Sequence, residues 1–313
     1  MNAFFLDAHC DTITKIMHTK ESLYKNNDQV DIERLKNFSH PIQFFAIWMH
    51  PKFYGNPLIY TLKAIDYFYK EIEKNEPYIA AAVSLKEIER NIAENKISAV
   101  LTVEGGEALE GEIEILRTLY RLGVRCMTLT WNYQNCVGCG AMEEQLKKGL
   151  TDFGIEVVKE MNALGMLVDV SHLSESSFWD VKKTSSKPFI ASHSNVREIC
   201  NHPRNLSDKQ LKAIADAAGV VGITTYPLFL NSSGEADIED FFAHMDYMVK
   251  LIGIDYIGLG CDFDGIATFS KGLEDVSKLK KVCERLEKKY GCSGAEKILH
   301  KNFLRVIKEV WIE

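Results

Sequence analysis

His9 and Asp11 stand two apart in "FFLDAHCDT", where the first apolar run of the chain turns polar. Glu104 in "TVEGGE", His172 in "DVSHLS", His193 in "IASHSN" and Asp262 in "CDFDG" occupy the same kind of place, each closing a short apolar run. Imidazole and carboxylate are good ligands for zinc and similar borderline ions. Three histidines and two carboxylates are more than one tetrahedral zinc needs, and they suit a two-metal site if one carboxylate bridges. Such a pair activates a water and polarises a carbonyl oxygen, which leaves Asp262 for proton transfer. Each residue taken singly has a commoner role. A lone histidine is usually a core or capping residue, Asp11 reads as the N-cap of "TITKIM", Glu104 as a strand-end carboxylate, and "DFDG" as a turn. It is their joint position that points to a metal.

Eight apolar runs lead to these residues or their neighbours: "FFLDAH", "IQFFAIWM", "ISAVLTVEGG", "VRCMTLTW", "MLVDVSH", "PFIASH", "VVGITTY" and "YIGLGCDFDG". Their length fits buried parallel strands. Helical periodicity fills most of the gaps, as in "EIEILRTLYRLG" and "DFGIEVVKEMNALG", with Ser174 and Ser207 at N-cap positions and Gly at several C-terminal stops. The alternation predicts a closed (β/α)8 TIM-type barrel, which gathers all strand ends on one face. A doubly wound sheet would want a glycine-rich turn after the first strand, and "DAHCDT" is not one. The glycines of "GIDYIGLGCDFDG" come too late for a dinucleotide site. Residues 18–40 and 132–149 are long excursions, expected to wall the active site.

The chain has 313 residues, 46% hydrophobic and 26% charged, an ordinary globular composition with no linker that would split it. One domain over residues 1–313 is expected. A net charge of -7 gives no support for a nucleic-acid partner. The opening "MNAFFLDAH" turns polar too soon for a signal peptide, and no apolar stretch is long enough for a membrane span. The eight cysteines form no disulfide framework and read as reduced, with Cys136 and Cys139 as a loop pair. A cytoplasmic protein, with a symmetric homodimer as the default assembly, is the expectation.

These residues carry a known pattern. "DAHCD", "TVEGGEAL", "LVDVSHLS", "IASHSN", "HPRNLSD" and "IGLGCDFDG" resemble, in order, the motifs of the membrane dipeptidase (renal dipeptidase) family of zinc-dependent peptidases. "EKILHKNFLRVI" resembles its terminal helix, so the likeness covers nearly the whole chain. The resemblance implies a (β/α)8 barrel with two Zn2+ ions, Mn2+ or Co2+ being alternatives. It implies that Glu104 bridges the ions, with His9 and Asp11 on one and His172 and His193 on the other. A water between them attacks the peptide carbonyl, and Asp262 orients it and passes its proton to the leaving amine. Arg204 matches the arginine that pairs with the terminal carboxylate, a group a guanidinium can grip through two parallel hydrogen bonds; Asn205 beside it is read as structural. The implied reaction is hydrolysis of L-L, and also L-D, dipeptides.

The chain departs from the best-known mammalian members in two places. Trp131 in "TLTWN" replaces a substrate-contacting histidine, and Glu107 replaces another histidine. Indole donates one hydrogen bond and cannot carry imidazole's proton chemistry, so Trp131 reads as altered substrate contact or as pocket wall. Two other readings remain open from the residues: a different metal-dependent amidohydrolase, such as an N-acyl-amino-acid deacylase or a lactonase, and a non-catalytic barrel.

Overall fold

The computed structural model describes residues 4–312; residues 1–3, part of the opening stretch read above for a leader, and residue 313 lie outside it. Nine strands follow one another along the chain: β1 (Leu6–Cys10), β2 (Ile42–Trp48), β3 (Ile79–Ala81), β4 (Ile97–Glu104), β5 (Cys126–Thr128), β6 (Leu167–Asp169), β7 (Ile190–Ala191), β8 (Val220–Ile223) and β9 (Ile257–Leu259). Eight close a parallel ring. β1 pairs with β2 and β9, β2 pairs with β4, and β5 to β9 follow in order. The expected TIM-type barrel is therefore present, with one strand more than the eight apolar runs. That extra strand, β3, lies beside residues 97–99 of β4, while β5 takes residues 102–104 on the same edge.

β1 and β4 are buried along their whole length, as parallel strands between a helical layer and a packed interior must be. The helices between strands are punctuated as the sequence suggests. Ser174 and Ser207 accept hydrogen bonds from the backbone N–H groups of Ser177 and Gln210, and Gly165, at φ 76°, closes the helix Asp152–Leu164. The early residues of the strands, among them Leu6, Ile42, Val100, Leu167 and Val220, pack with Phe303, Val306, Ile307 and Val310 of the terminal helix. That apolar plug closes the N-terminal end of the barrel and leaves the other end for chemistry.

Gly222 on β8 and Gly260 just past β9 show what the late glycines are for. A Cβ on either would come within 2.0 and 1.6 Å of the Ser192 carbonyl oxygen. They permit close backbone approach beside β7 and form no phosphate-binding turn. Among the described residues, no helix is long and apolar enough to cross a membrane.

Candidate active site

Glu104 is the last residue of β4 and His9 the fourth of β1; Asp11, His172, His193 and Asp262 follow the ends of β1, β6, β7 and β9 within three residues. All six lie at the C-terminal end of the barrel, and none is more than 9% exposed. His9 Nε2 lies 3.4 Å from Asp11, 3.6 Å from Glu104 and 3.8 Å from Asp262. Glu104 Oε1 is 2.8 Å from His172 Nε2 and 3.6 Å from His193 Nε2. The two carboxylate oxygens of Glu104 thus face two different sets of partners. His172 and Asp262 reach the centre from left-handed backbone, at φ 69° and 63°. Asp11 does hold the N-cap position of the helix Thr12–Thr19, but its side chain caps nothing and turns to His9 instead. Ser174, and not His172, caps the helix that follows.

The hydrogen bonds behind the rings fix which nitrogens face inward. Ser192 Oγ donates its single proton to Asp169 at 2.6 Å, so at 2.8 Å from His193 Nδ1 it must accept. His172 Nδ1 donates to the side-chain oxygen of Asn132 at 2.9 Å. Both Nε2 atoms then present lone pairs, and they lie 2.9 Å apart beside Glu104. Burial, then the positive charge of its neighbours, keeps both rings neutral: His172 is pulled down to about 4 and His193 falls well below the usual range. His9 goes the other way. Burial pulls it down, but the Glu104 and Asp11 carboxylates outweigh that and hold it well above its ordinary value. Burial, opposed mainly by His9, raises Asp11 to about 6 and lifts Asp262 well above the carboxylate range. His9 Nε2 and Asp11 Oδ1 are buried without a hydrogen-bond partner. Converging lone pairs, three carboxyl groups and buried polar atoms left without partners fit a divalent cation.

A cavity of about 720 Å³ opens above these groups. Arg204 lines it, 4% exposed, held by the His193 carbonyl at 3.3 Å, with its Nε unpartnered. Burial lowers it to about 10, so it stays charged at neutral pH. Trp131 is pocket wall, edge-on to Trp48 at 5.4 Å and 6.3 Å from His172. Glu107 does not line the cavity and bonds to Asn135 and Tyr54. Asn205 holds its loop through the Cys200 and Phe229 carbonyls. The two long excursions contribute less wall than expected: His18 and Thr19 from one, Asn132 and Met142 from the other. The segment after β2 supplies His50, Lys52, Phe53 and Tyr60 instead. Cys136 and Cys139 are free thiols, and among the described residues neither belongs to a cluster of three ligand atoms close enough to hold an ion.

The family model described as membrane dipeptidase (peptidase family M19) matches residues 2–311. This chain belongs to that family. As a membrane dipeptidase family member it is a metal-dependent dipeptidase, and the family implies a divalent metal cofactor. A Klebsiella pneumoniae protein described as an uncharacterized protein in the pqqA 5' region is 34% identical over 267 residues, 82% of this chain and 98% of that one. A dipeptidase AC, a metallo peptidase of family M19, superposes with TM-score 0.91 at 24% identity over 99% of both chains. A Rhodobacter sphaeroides metallo peptidase, liganded with a phosphinate mimic of the dipeptide L-Ala-D-Ala, has TM-score 0.89 at 24% identity, covering 99% of this chain and 100% of that one. These two share its fold.

In this dipeptidase the residues that sequence reasoning missed are the supports: Asn132, Asp169 and Ser192. The available signal was adjacency, since Ser192 directly precedes His193 and Asp169 opens the segment "DVSH".

Proposed function

We propose that this dipeptidase is dinuclear, with His9, Asp11 and Glu104 holding one Zn2+ and Glu104, His172 and His193 the other; Mn2+ and Co2+ suit the same ligands. Its substrates are dipeptides with a free C-terminal carboxylate, L-L and also L-D. The observation that carries this reading is the convergence of two bare imidazole lone pairs on one Glu104 oxygen, with His9 at the other and Asp11 and Asp262 gathered around His9. When bound, the cations polarise the scissile carbonyl and activate a water. Asp262, buried beside His9, is placed to orient that water, take its proton and pass that proton to the leaving amine. Arg204, anchored through the His193 carbonyl, keeps an unpartnered Nε–H for the substrate carboxylate. Trp131 bounds the cavity without proton chemistry. The Rhodobacter sphaeroides relative's L-Ala-D-Ala mimic supports the L-D part.

Metal content and turnover test this together. Two equivalents of zinc and turnover of L-Ala-L-Ala are expected. Amidating the C-terminus should lower kcat/KM roughly a hundredfold, the ~3 kcal/mol of a buried charge left without its partner. Equal turnover of the amidated compound would remove Arg204 from the site. Less than one zinc, with no gain on adding zinc, would overturn the dinuclear assignment. We also take residues 1–313 to act as one catalytic domain and as a homodimer in the cytoplasm; eight unpaired cysteines support a reducing compartment.

A further inference from the structure

The chain carries a net charge of -7, and the floor of its cavity is acidic, with Asp11, Glu104, Asp262 and Asp264. One wall has the opposite character. His18, from the helix after β1, and His50 and Lys52, after β2, line the cavity with Phe53 and Tyr60. His18 stacks on Phe53 at 5.4 Å and Phe53 on Tyr60 at 4.8 Å, which makes an aromatic plate. Lys52 Nζ stands 4.9 Å over the Phe53 ring and, among the described residues, forms no ion pair. His50 Nδ1 accepts the Lys52 backbone N–H, so its Nε2 carries the ring proton. Burial and the nearby Lys52, Lys20 and His50 all push His18 down. Beside His50, the buried indole N–H of Trp48 has no acceptor. His18 Nε2 is paired with the Tyr60 hydroxyl at 2.9 Å, which locks the plate, and the wall still offers the Trp48 N–H and the Lys52 ammonium with nothing to receive them.

Its position says which part of a substrate it meets. In the ring β1-β2-β4-β5-β6-β7-β8-β9, β2 and β7 are four steps apart and so face each other. Arg204 follows β7, and Lys52 follows β2. A dipeptide whose carboxylate is held at Arg204 and whose peptide bond lies over the central cluster sends its N-terminal residue toward Lys52. We propose that His18, His50 and Lys52, over the Phe53–Tyr60 plate, form the subsite for the side chain of the N-terminal residue and select Asp or Glu there. The rings take the methylene groups, and the Lys52 ammonium with the His50 ring N–H takes the carboxylate. The α-amino group of that residue faces the acidic floor. The subsite rests on the dipeptidase orientation proposed above.

The test compares kcat/KM of the zinc-loaded protein for L-Glu-L-Ala, the isosteric L-Gln-L-Ala, L-Lys-L-Ala and L-Ala-L-Ala, in wild type, Lys52→Met and Lys52→Glu. A Glu-over-Gln ratio of roughly three to ten is expected for a partly exposed charge contact, shrinking with added salt. Lys52→Met should bring that ratio close to one, and Lys52→Glu should shift preference to L-Lys-L-Ala. Because only ratios are read, a loss of folded protein cannot mimic the result. A wild-type ratio of one or less, or a ratio that Lys52→Met leaves in place, overturns the subsite while turnover of L-Ala-L-Ala keeps the dipeptidase reading. Failure to cleave any of the four overturns both.

Discussion

Ser192 has one hydroxyl proton, and Asp169 takes it. Asp169 also accepts from Thr128 Oγ1 at 2.5 Å and from the backbone N–H groups of Ser171 and Ser192, so its carboxylate is fixed between β5, β6 and β7. The consequence is a single tautomer for His193, with Nε2 free for a cation. Ser192→Ala removes the acceptor at Nδ1 and leaves the ring free to change tautomer. Zinc affinity should fall about 10- to 100-fold, with Ser192→Thr recovering most of it. Competition against a chromophoric chelator reads this directly; an unchanged affinity in Ser192→Ala would show that the hydroxyl does not set the ring. At this scale the sequence was informative about ligands and silent about supports. Imidazoles and carboxylates at run ends are an unusual coincidence, whereas a serine beside a histidine is ordinary. Asp262 and Asp264 show the same limit. Both sit in "CDFDG" at positive φ, yet Asp264 is bound to Thr12 and the Gln29 backbone, while Asp262 faces His9.

β7 is only two residues long, and His193 hangs on the chain just beyond it. What holds that chain in place is backbone contact from β8 and β9, made possible by Gly222 and Gly260. Gly260→Ala drives a methyl into the Ser192 carbonyl oxygen, an atom that cannot swing away like a side-chain tip. A loss of about 2–3 kcal/mol is expected from forced overpacking, seen as a drop of several degrees in Tm, together with weaker zinc binding. Gly55→Ala is the control: nothing lies within 4 Å of its Cβ position and Tm should hold. Equal Tm for both variants would mean that the β7 segment moves freely aside. Eight strands were legible because each is a compact apolar run. β3 was not, since "IAA" in "YIAAAVS" is three residues of weak strand propensity that owe their conformation to β4. The loop after β2 is short and so carries no signal of length, yet it supplies His50, Lys52 and Phe53, because the cavity takes its lining from segments that point inward.

Across the whole molecule, protons and cations compete for the same buried charge. In the metal-free chain the raised His9 keeps its proton at neutral pH, and Asp11 keeps one up to about pH 6. His172 and His193, already neutral at pH 7, have none to give. Loading the site must therefore expel protons from His9 and Asp11 and none from the other two histidines. The sign follows: each proton released makes affinity rise with pH, so metal binding strengthens upward through pH 6 and continues to strengthen as His9 titrates. Ligand-linked stabilisation reaches about 4 kcal/mol when free metal is a thousandfold above its Kd. The Tm difference between zinc-loaded and metal-free protein should accordingly widen from pH 5 to pH 8. Calorimetric titrations near pH 6 in two buffers of different ionisation enthalpy should count at least one proton released per loaded chain. A Tm difference that is flat across this range, or larger in acid, would mean that His9 and Asp11 are not where the cation charge goes.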